Sequence, residues 1–482
     1  MKKIVIFIFV LFIPFFVFAQ ENSSDLENDL FGGDEDTLIS AEEARSDSKS
    51  NLKFKADLEK ASLSLESKKL RIGGSLNSSM GINYAWVDPY SKKDDYLKSF
   101  KDGKGSFNTT LNGSLFFDAR PNEDLKLYGK FLFGFPFEKS LSGALTVPKN
   151  SFGPLQPNDI ILPIGVNGAA NIKIQELYTD FSAKNIAFFR FGKHAVKWGT
   201  GYFYSPADVI NISRIDPQDP TADREGGISL RTHIIIPKTQ HNIWLYMLPP
   251  GQGEDFDPKY TAGAAKGEFV VGNWELGFGG WYKYEKAPRL ITTVSGSIAG
   301  KVAVFGEGVF AWGSDYTYYK ADMSSYTEKN KPFFQATLGG SYSNTDTNTT
   351  IALQYFYNGF GYSNTDVSTS ILEKAEDPVS LSDASFRKKL QNVLAMGNRG
   401  QHYIALNISQ NKLGTDKLSL NLFQQFAISE LEGFSKLTLN WKIYKFASMS
   451  TGPSFSYPLS PSSKTKGQIG YSLSFRLGGG TF

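Results

Sequence analysis

The chain has 482 residues, of which 41% are hydrophobic and 14% aromatic, and its formal net charge is only +3. Its length would accommodate roughly two or three soluble domains, but a helical membrane protein is excluded because only the N-terminus carries a long apolar run. The chain contains no cysteine, which excludes a disulfide framework, so stability must come from packing or from closed hydrogen-bond networks.

The N-terminus reads MKKIVIFIFVLFIPFFVFAQ, two lysines and an apolar run that Pro14 interrupts, with Ala19 just before Gln20. This pattern predicts a cleaved secretory signal peptide over residues 1–19. The alternative is a permanent membrane anchor, against which the short run and Pro14 argue. The sequence therefore predicts an exported protein.

Residues 21–50 contain ten acidic and two basic residues, a net charge of −8. Such a segment has few groups to bury, so residues 20–68 are predicted to form an acidic, disordered extension. The alternative is that Leu30 and Phe31, set among acids, form a docking motif or part of a plug.

The body of the chain alternates between polar and apolar residues. In RIGGSLNSSMGINYAW, residues 71–86, Ile72, Leu76 and Met80 share one parity, whereas Arg71 and Ser75 share the other. A period of two predicts strands with one apolar and one polar face. The same alternation recurs in residues 125–135, 351–358, 437–444 and 468–477. A soluble sandwich would also show it.

The lengths of the turns distinguish a soluble sandwich from a membrane barrel. Eighteen candidate strands are predicted, with sixteen as the alternative count, and every second connection between them is at most about five residues long. An even number of strands with short turns on one side and long loops on the other is typical of an outer-membrane barrel. The candidate strands begin near residues 70, 106, 124, 172, 186, 227, 240, 260, 273, 288, 302, 332, 347, 401, 417, 433, 447 and 467.

The fold class is therefore predicted to be all-β, a transmembrane antiparallel barrel over residues 69–482 in the cell outer membrane, with both termini and the 20–68 extension in the periplasm. Trp244 and Trp274, among other aromatic residues near strand ends, are predicted to lie in interfacial girdles. The terminal Phe482 resembles the last residue by which such barrels are recognised for assembly, although the glycines at 478–480 interrupt the usual alternation before it.

Four segments carry a resemblance to bacterial outer-membrane porin-like channels. They are IQELYTDF (174–181), FRFGKHAVKWG (189–199), PADVIN (206–211) and REGG (224–227). The resemblance covers about fifty residues, in which a glutamate-bearing strand is followed by a strand that ends in Trp-Gly and by a Pro-x-Asp loop. It implies a channel and names no solute.

Parity assigns charges to the predicted interior. If Leu177, Phe181 and Phe191 face outward, then Glu176, Asp180, Arg190 and His194 face inward, as does the basic Arg231. The same alternation places the acids Glu275 and Glu307 on the inner face. The hairpin of strands four and five is predicted to place Asp180 opposite Arg190 and Glu176 opposite His194. The alternative for most single wall charges is that they only keep the interior wet.

The run 198–226 has neither helical nor strand periodicity. Prolines and apolar residues give it stiffness and surface to bury, so it is predicted to fold inward as a constriction, with its acids facing basic wall residues. The alternative is a loop packed outside the barrel. Its predicted constriction residues are Asp208, Asp216, Asp219, Asp223, Arg224 and Glu225.

These features predict a passive channel for small hydrophilic solutes. The main alternative is a non-conducting adhesin or structural barrel that acts through long loops at 137–171 and 359–400, and a barrel enzyme is a third class. None of the four histidines has metal-ligand spacing, so we expect no catalytic residues, metal or cofactor. The expected partners are outer-membrane lipid, small hydrophilic solutes and the assembly machinery, without nucleic acid. The sequence leaves the solute, the ion selectivity and the oligomeric state open.

Overall fold

The structure of the protein is a computed structural model that describes residues 70–86, 103–122, 124–136, 171–183, 186–250, 257–375, 378–460, 463 and 467–481. The predicted signal peptide (1–19) and acidic extension (20–68) lie outside the described residues, as does most of the predicted loop at 137–171.

Eighteen strands form one closed antiparallel sheet. Each strand of this sheet pairs with the next one, and the first strand pairs with both the second and the last, which closes the ring. The short strands β12 and β13 form a separate hairpin. The predicted all-β antiparallel barrel and the count of eighteen barrel strands are confirmed for the described residues. The strands are β1 (Leu70–Trp86), β2 (Lys104–Asn122), β3 (Leu125–Pro136), β4 (Asn171–Ala183), β5 (Ala187–Lys193), β6 (Ile228–Ile235), β7 (Asn242–Leu248), β8 (Ala262–Val271), β9 (Trp274–Tyr282), β10 (Arg289–Ile298), β11 (Val302–Trp312), β12 (Thr317–Tyr319), β13 (Ser325–Thr327), β14 (Pro332–Asn344), β15 (Thr349–Asn358), β16 (His402–Gln410), β17 (Leu418–Ala427), β18 (Glu432–Tyr444), β19 (Ala447–Pro458) and β20 (Gly467–Thr481).

The two ends of the barrel differ in their connections. At one end, here called the short-turn end, the connections are brief, and only residues 236–241 and 411–417 exceed the predicted length. The other end, the long-loop end, carries residues 194–227, 313–331 and 359–401. The first residue of β1 and the last of β20 both lie at the short-turn end, as predicted.

The alternation produces an apolar outer face. Leu290, Leu338 and Phe278 point outward and are each more than half exposed, whereas their neighbours Ile291 and Thr337 point inward and are buried. The girdle assignment of Trp244 is wrong. Its ring lies on the inner face, stacked 3.7 Å from the ring of His233, while the adjacent Leu245 is exposed on the outside.

The long-loop end carries a compact cap with three helices, α1 (Asp366–Lys374), α2 (Pro378–Ser382) and α3 (Ala384–Ala395). Ile371, Leu390 and Val393 are fully buried there and pack with Tyr319 of β12. The side chain of Asp383 caps α3 by accepting a hydrogen bond from the Ser385 N–H. None of the helices in the described part of the chain is long and apolar enough to cross a membrane.

Candidate functional site

The segment between β5 and β6, residues 194–227, leaves the wall and crosses the interior; it is called the inward loop below. The Tyr204 hydroxyl accepts a hydrogen bond of 2.6 Å from Nε2 of Gln425 on β17, and its ring stacks 5.1 Å from Phe356 on β15. In the ring of eighteen strands, β16 and β17 stand nine places from β5 and β6 in either direction. The loop therefore reaches the opposite wall.

Two apolar clusters seat the inward loop on inner-wall residues. Trp198 and Ala207 pack with Tyr246, Ile291 and Val309 of β7, β10 and β11. Phe203 and Tyr204 pack with the far wall, on Phe356, Tyr403 and Phe423 of β15, β16 and β17. Trp198 and Phe203 are each only 1% exposed. Because burying one large apolar side chain stabilises by about 1.5–3 kcal/mol, the loop is a packed element.

Glu307 of β11 is the main polar anchor of the loop. Its buried carboxylate accepts hydrogen bonds from the backbone N–H groups of Thr200 (2.6 Å), Gly201 (2.5 Å) and Ala207 (2.9 Å). The Ser205 hydroxyl donates a fourth bond at 2.9 Å. One wall side chain thus satisfies four donors of a turn that has no ladder partner, which is how an irregular segment can be buried.

Gln354 of β15 is a second polar anchor, and it binds the backbone of loop residues 202–204. Its Oε1 accepts from the N–H groups of Tyr202 (3.1 Å) and Phe203 (2.7 Å), and its Nε2 donates to the Tyr204 carbonyl (2.6 Å). Burial raises the pKa of the Tyr204 hydroxyl far above its ordinary value, so that hydroxyl stays neutral in its contact with Gln425.

Two acids near the end of the loop form ion pairs with basic residues of the wall strands. Glu225 pairs with Lys173 and, at 2.7 Å, with Lys193, and Asp223 lies 2.5 Å from Lys130. Partial burial raises the pKa of the Glu225 carboxyl, but the hydrogen bonds from Lys173 and Lys193 outweigh it and the net pKa lies below its ordinary value.

The other charged residues of the loop bind mainly within it or to the cap. Asp208 pairs with Arg224 and accepts from Asn211 Nδ2 at 2.8 Å. Asp216 and Asp219 form a turn, in which the Asp219 N–H donates to the Asp216 carbonyl at 3.0 Å. The guanidinium of Arg214 donates to the Tyr316 hydroxyl (2.6 Å) and to backbone carbonyls 395 and 396 at the end of α3. A cation placed there complements the helix dipole.

The β4–β5 hairpin has the predicted register. Asp180 stands opposite Arg190, and the guanidinium binds the carboxylate with two bonds of 2.6 and 3.0 Å. β5 ends at Lys193, so Glu176 and His194 lie just beyond the last ladder pair. Glu176 accepts from the Ala195 N–H at 3.2 Å.

The two remaining predicted wall residues are His194, at the start of the loop, and Arg231 on β6. His194 is fully buried, with its ring 5.8 Å from that of Tyr178 and Nδ1 3.1 Å from the Gly192 carbonyl oxygen. Arg231 stands opposite Arg190 on β6, 5.4 Å from the ring of Trp244.

A cavity of about 200 Å³ lies between the loop and the wall. Its lining joins β4 to β11, β14 and β15 on the far side, together with the turn at 220–224. Charged groups of both signs line it: Glu176, Lys197, Asp223 and Arg224. Among the described residues there is no cluster of His, Asp or Glu that could hold a metal ion. The cavity can accommodate a small polar molecule beside fixed charges.

The wall residues that bind the inward loop are called the loop seat below. The sequence did not predict this role for four of them, namely Glu307, Gln354, Lys173 and Lys193. Glu307 was predicted only as an inward acid, and Gln354 was not predicted at all. Lys173 was missed because a β-bulge at Gln175 shifts the alternation, so that Ile174 and Leu177 both point outward. The spacing of three between these two apolar residues was the available signal. Lys193 was missed because its position in the ladder has the outward parity of Leu177.

No protein-family model and no curated protein matches the sequence. Among solved structures, OccAB4 of Acinetobacter baumannii is similar over 86% of this chain and 99% of its own, with 8% identity and a TM-score of 0.47. OccK8 (OprE) of Pseudomonas aeruginosa is similar over 85% and 98%, with 10% identity and a TM-score of 0.46. A triple mutant of the Rhodopseudomonas blastica porin is similar over 84% and 99%, with 7% identity and a TM-score of 0.36.

Proposed function

We propose that the protein is a passive channel for small hydrophilic solutes in an outer membrane, with the inward loop as its constriction. The observation that carries this proposal is the course of the loop, which crosses from β5 to the opposite wall and is held there by Glu307 and Gln354. An eighteen-strand barrel is too wide for its own side chains to fill, so a seated loop sets the width of the passage.

The outer surface supports a membrane location. Large apolar side chains on many strands point away from the interior and are exposed, including Leu338 (62%) and Leu353 (51%). A contiguous apolar surface of this kind is unfavourable in water and suits contact with lipid. Polar side chains are concentrated on the inner face, which suits a hydrated passage.

The charge arrangement supports moderate selectivity. Asp223 and Glu225 stand against Lys130, Lys173 and Lys193, so acids of the loop oppose bases of the wall. Because these pairs are in direct contact, their charges largely cancel, and the passage beside them is left without a strong preference for either ion. We infer solutes that are polar and small, without a fixed sign of net charge.

Conductance in planar bilayers tests the proposal, combined with a reversal-potential measurement in a salt gradient. Stepwise currents with a small reversal potential are expected. A correctly folded barrel that gives no currents would contradict the proposal and favour an adhesin. That second function has its own observation, the packed cap of α1–α3 on the β12–β13 hairpin. A barrel enzyme would instead hydrolyse lipid or peptide.

A further inference from the structure

The short-turn end of the barrel carries an uneven distribution of charge. At this end of the strands from β16 to β20, five cations stand against one acid of the described residues, Asp416. These residues, here called the cationic rim sector, are Lys412, Lys417, Lys442, Lys445 and Arg476. Two turns on the other side of the ring, 236–241 and 272–273, carry much less charge. Apart from His241, their one charged residue is Lys238.

The geometry of the sector directs its charge toward the mouth. Lys442 and Arg476 both stand opposite Ser448, one on each neighbouring strand, and their outward neighbours Trp441 and Phe475 are exposed on the outer face. Lys442 and Arg476 therefore share the inner face. Lys417 and Lys445 lie in the turns beside them.

Four of the five cations of the sector are exposed and their charges are available. Lys417, Lys442, Lys445 and Arg476 are all exposed, and within the described part of the chain none of these four forms an ion pair. Uncompensated cations on one side of a rim attract a polyanion, with a strength that falls as salt is added.

The chain itself contains such a polyanion. Residues 21–50 carry a net charge of −8 and precede β1, the strand that pairs with β20 at the edge of the sector. The roughly 20 residues between them reach at most about 70 Å when extended and about 25 Å as a flexible coil. The barrel diameter is about 36 Å for eighteen strands tilted by about 40°. The acidic segment therefore reaches the sector easily and at high effective concentration.

We propose that the acidic segment, residues 21–50, docks on the cationic rim sector of its own chain. Single exposed ion pairs are weak, but eight excess acids facing several cations on a short tether add up to a preferred position for the segment. The proposal does not depend on whether the barrel conducts.

Crosslinking of the full mature chain tests the proposal, and the absence of cysteine makes each engineered pair unique. Ser40→Cys is combined with Leu413→Cys beside the sector, or with Gln240→Cys on the other side of the rim, and a short bismaleimide is added. The measured quantity is the ratio of the near-rim to the far-rim crosslinking yield. The control replaces the ten acids of residues 21–50 by Asn or Gln, which leaves the tether and the barrel unchanged.

At low salt the yield ratio is expected to be at least about threefold higher for the native segment than for the neutralised one. Raising the salt from about 0.05 to about 0.5 M shortens the Debye length from about 14 to about 4 Å and should abolish the difference. A rim variant is also tested, in which Lys417, Lys442, Lys445 and Arg476 are changed to Gln. Its yield ratio should equal that of the chain with the neutralised segment. Equal yield ratios for the native and neutralised segments would overturn the proposal. A native ratio that stays higher than the neutralised one at high salt would overturn it as well.

Discussion

Replacing Glu307 by alanine should release the inward loop. The substitution removes the acceptor of four donors, on Thr200, Gly201, Ser205 and Ala207. Leaving buried donors without an acceptor costs about 1–3 kcal/mol each, so the donors can be satisfied only if the turn moves into water. A net loss of about 3 kcal/mol multiplies the ratio of released to seated loop by about 150.

The effect on conductance can be worked from the barrel. Eighteen strands give a radius of about 18 Å, and side chains extend about 5 Å inward, which leaves an opening of about 530 Å². A loop about 10 Å wide crossing a span of about 26 Å covers about half of that area. Release of the loop should therefore raise single-channel conductance by about twofold, or produce steps between the two levels.

The assay is single-channel recording in planar bilayers, with trypsin cleavage at Arg214 and Arg224 as a second readout of loop release. Glu307→Gln should be intermediate, because its carbonyl oxygen still accepts from Thr200 and Gly201 while its amide faces the Ala207 N–H. Glu275→Ala is a matched control, since Glu275 is an acid with the inward parity of the buried Gly277 and is the second residue of β9, at the short-turn end of the barrel. Unchanged conductance and unchanged cleavage in a folded Glu307→Ala barrel would refute the reasoning.

Three further predictions concern the same loop. Deleting Pro206–Thr221 should raise conductance markedly, and an unchanged value in a folded variant would make the loop an external cap. Because the pKa of Glu225 is lowered from 4.5, its ion pairs stabilise the seat fully above about pH 4.5 and are lost as pH falls through the lower folded-state pKa. Single-channel conductance recorded across that window should rise as the pH falls, and the rise should be absent in Glu225→Gln. Arg214→Ala should speed proteolysis of the α3 segment by removing its contacts to carbonyls 395 and 396, whereas Arg387→Ala, whose bonds lie nearer the start of α3, should leave the end of the helix protected.

The strands could be predicted because a half-buried sheet imposes a period of two on the sequence. Every predicted start lies within two residues of the observed one, since turn residues interrupt the alternation sharply. The helices α1–α3 and the β12–β13 hairpin were not predicted, because they belong to long connections in which the packing partner is another loop. Local pattern indicates where a loop begins, and its structure depends on contacts distant in sequence.

The same reasoning explains which part of the candidate site was predictable. Asp180 and Arg190 are ten residues apart on one hairpin, so parity and turn length placed them correctly. Glu307 lies about a hundred residues from the turn it holds. Parity placed Glu307 inside, but no local feature of the sequence indicates which loop an inner-wall acid will meet.

Two glycines of the segments that carry the resemblance, Gly199 and Gly226, and the neighbouring Gly201 are explained by close approach of other atoms. A Cβ atom on Gly199 would lie 2.3 Å from Oε1 of Glu307, and one on Gly201 would lie 1.9 Å from the Tyr204 carbonyl oxygen. At Gly226 the distance to the His194 carbonyl oxygen would be 1.6 Å. Any side chain at these positions would push the turn away from the carboxylate that holds it. These segments therefore describe how the loop is seated.

Part of the cavity lining takes no part in the two polar anchors, although Thr200, Gly201 and Tyr202 belong to both the anchors and the lining. The turn at 220–223 and Lys197 contact the open space but contribute nothing to the Glu307 and Gln354 anchors. Substitutions in that turn can change the charge and width of the passage while the seat stays intact. Because the turn at 220–223 lies outside the segments that carry the resemblance, the resemblance contains no information on the charge that this turn places beside the cavity.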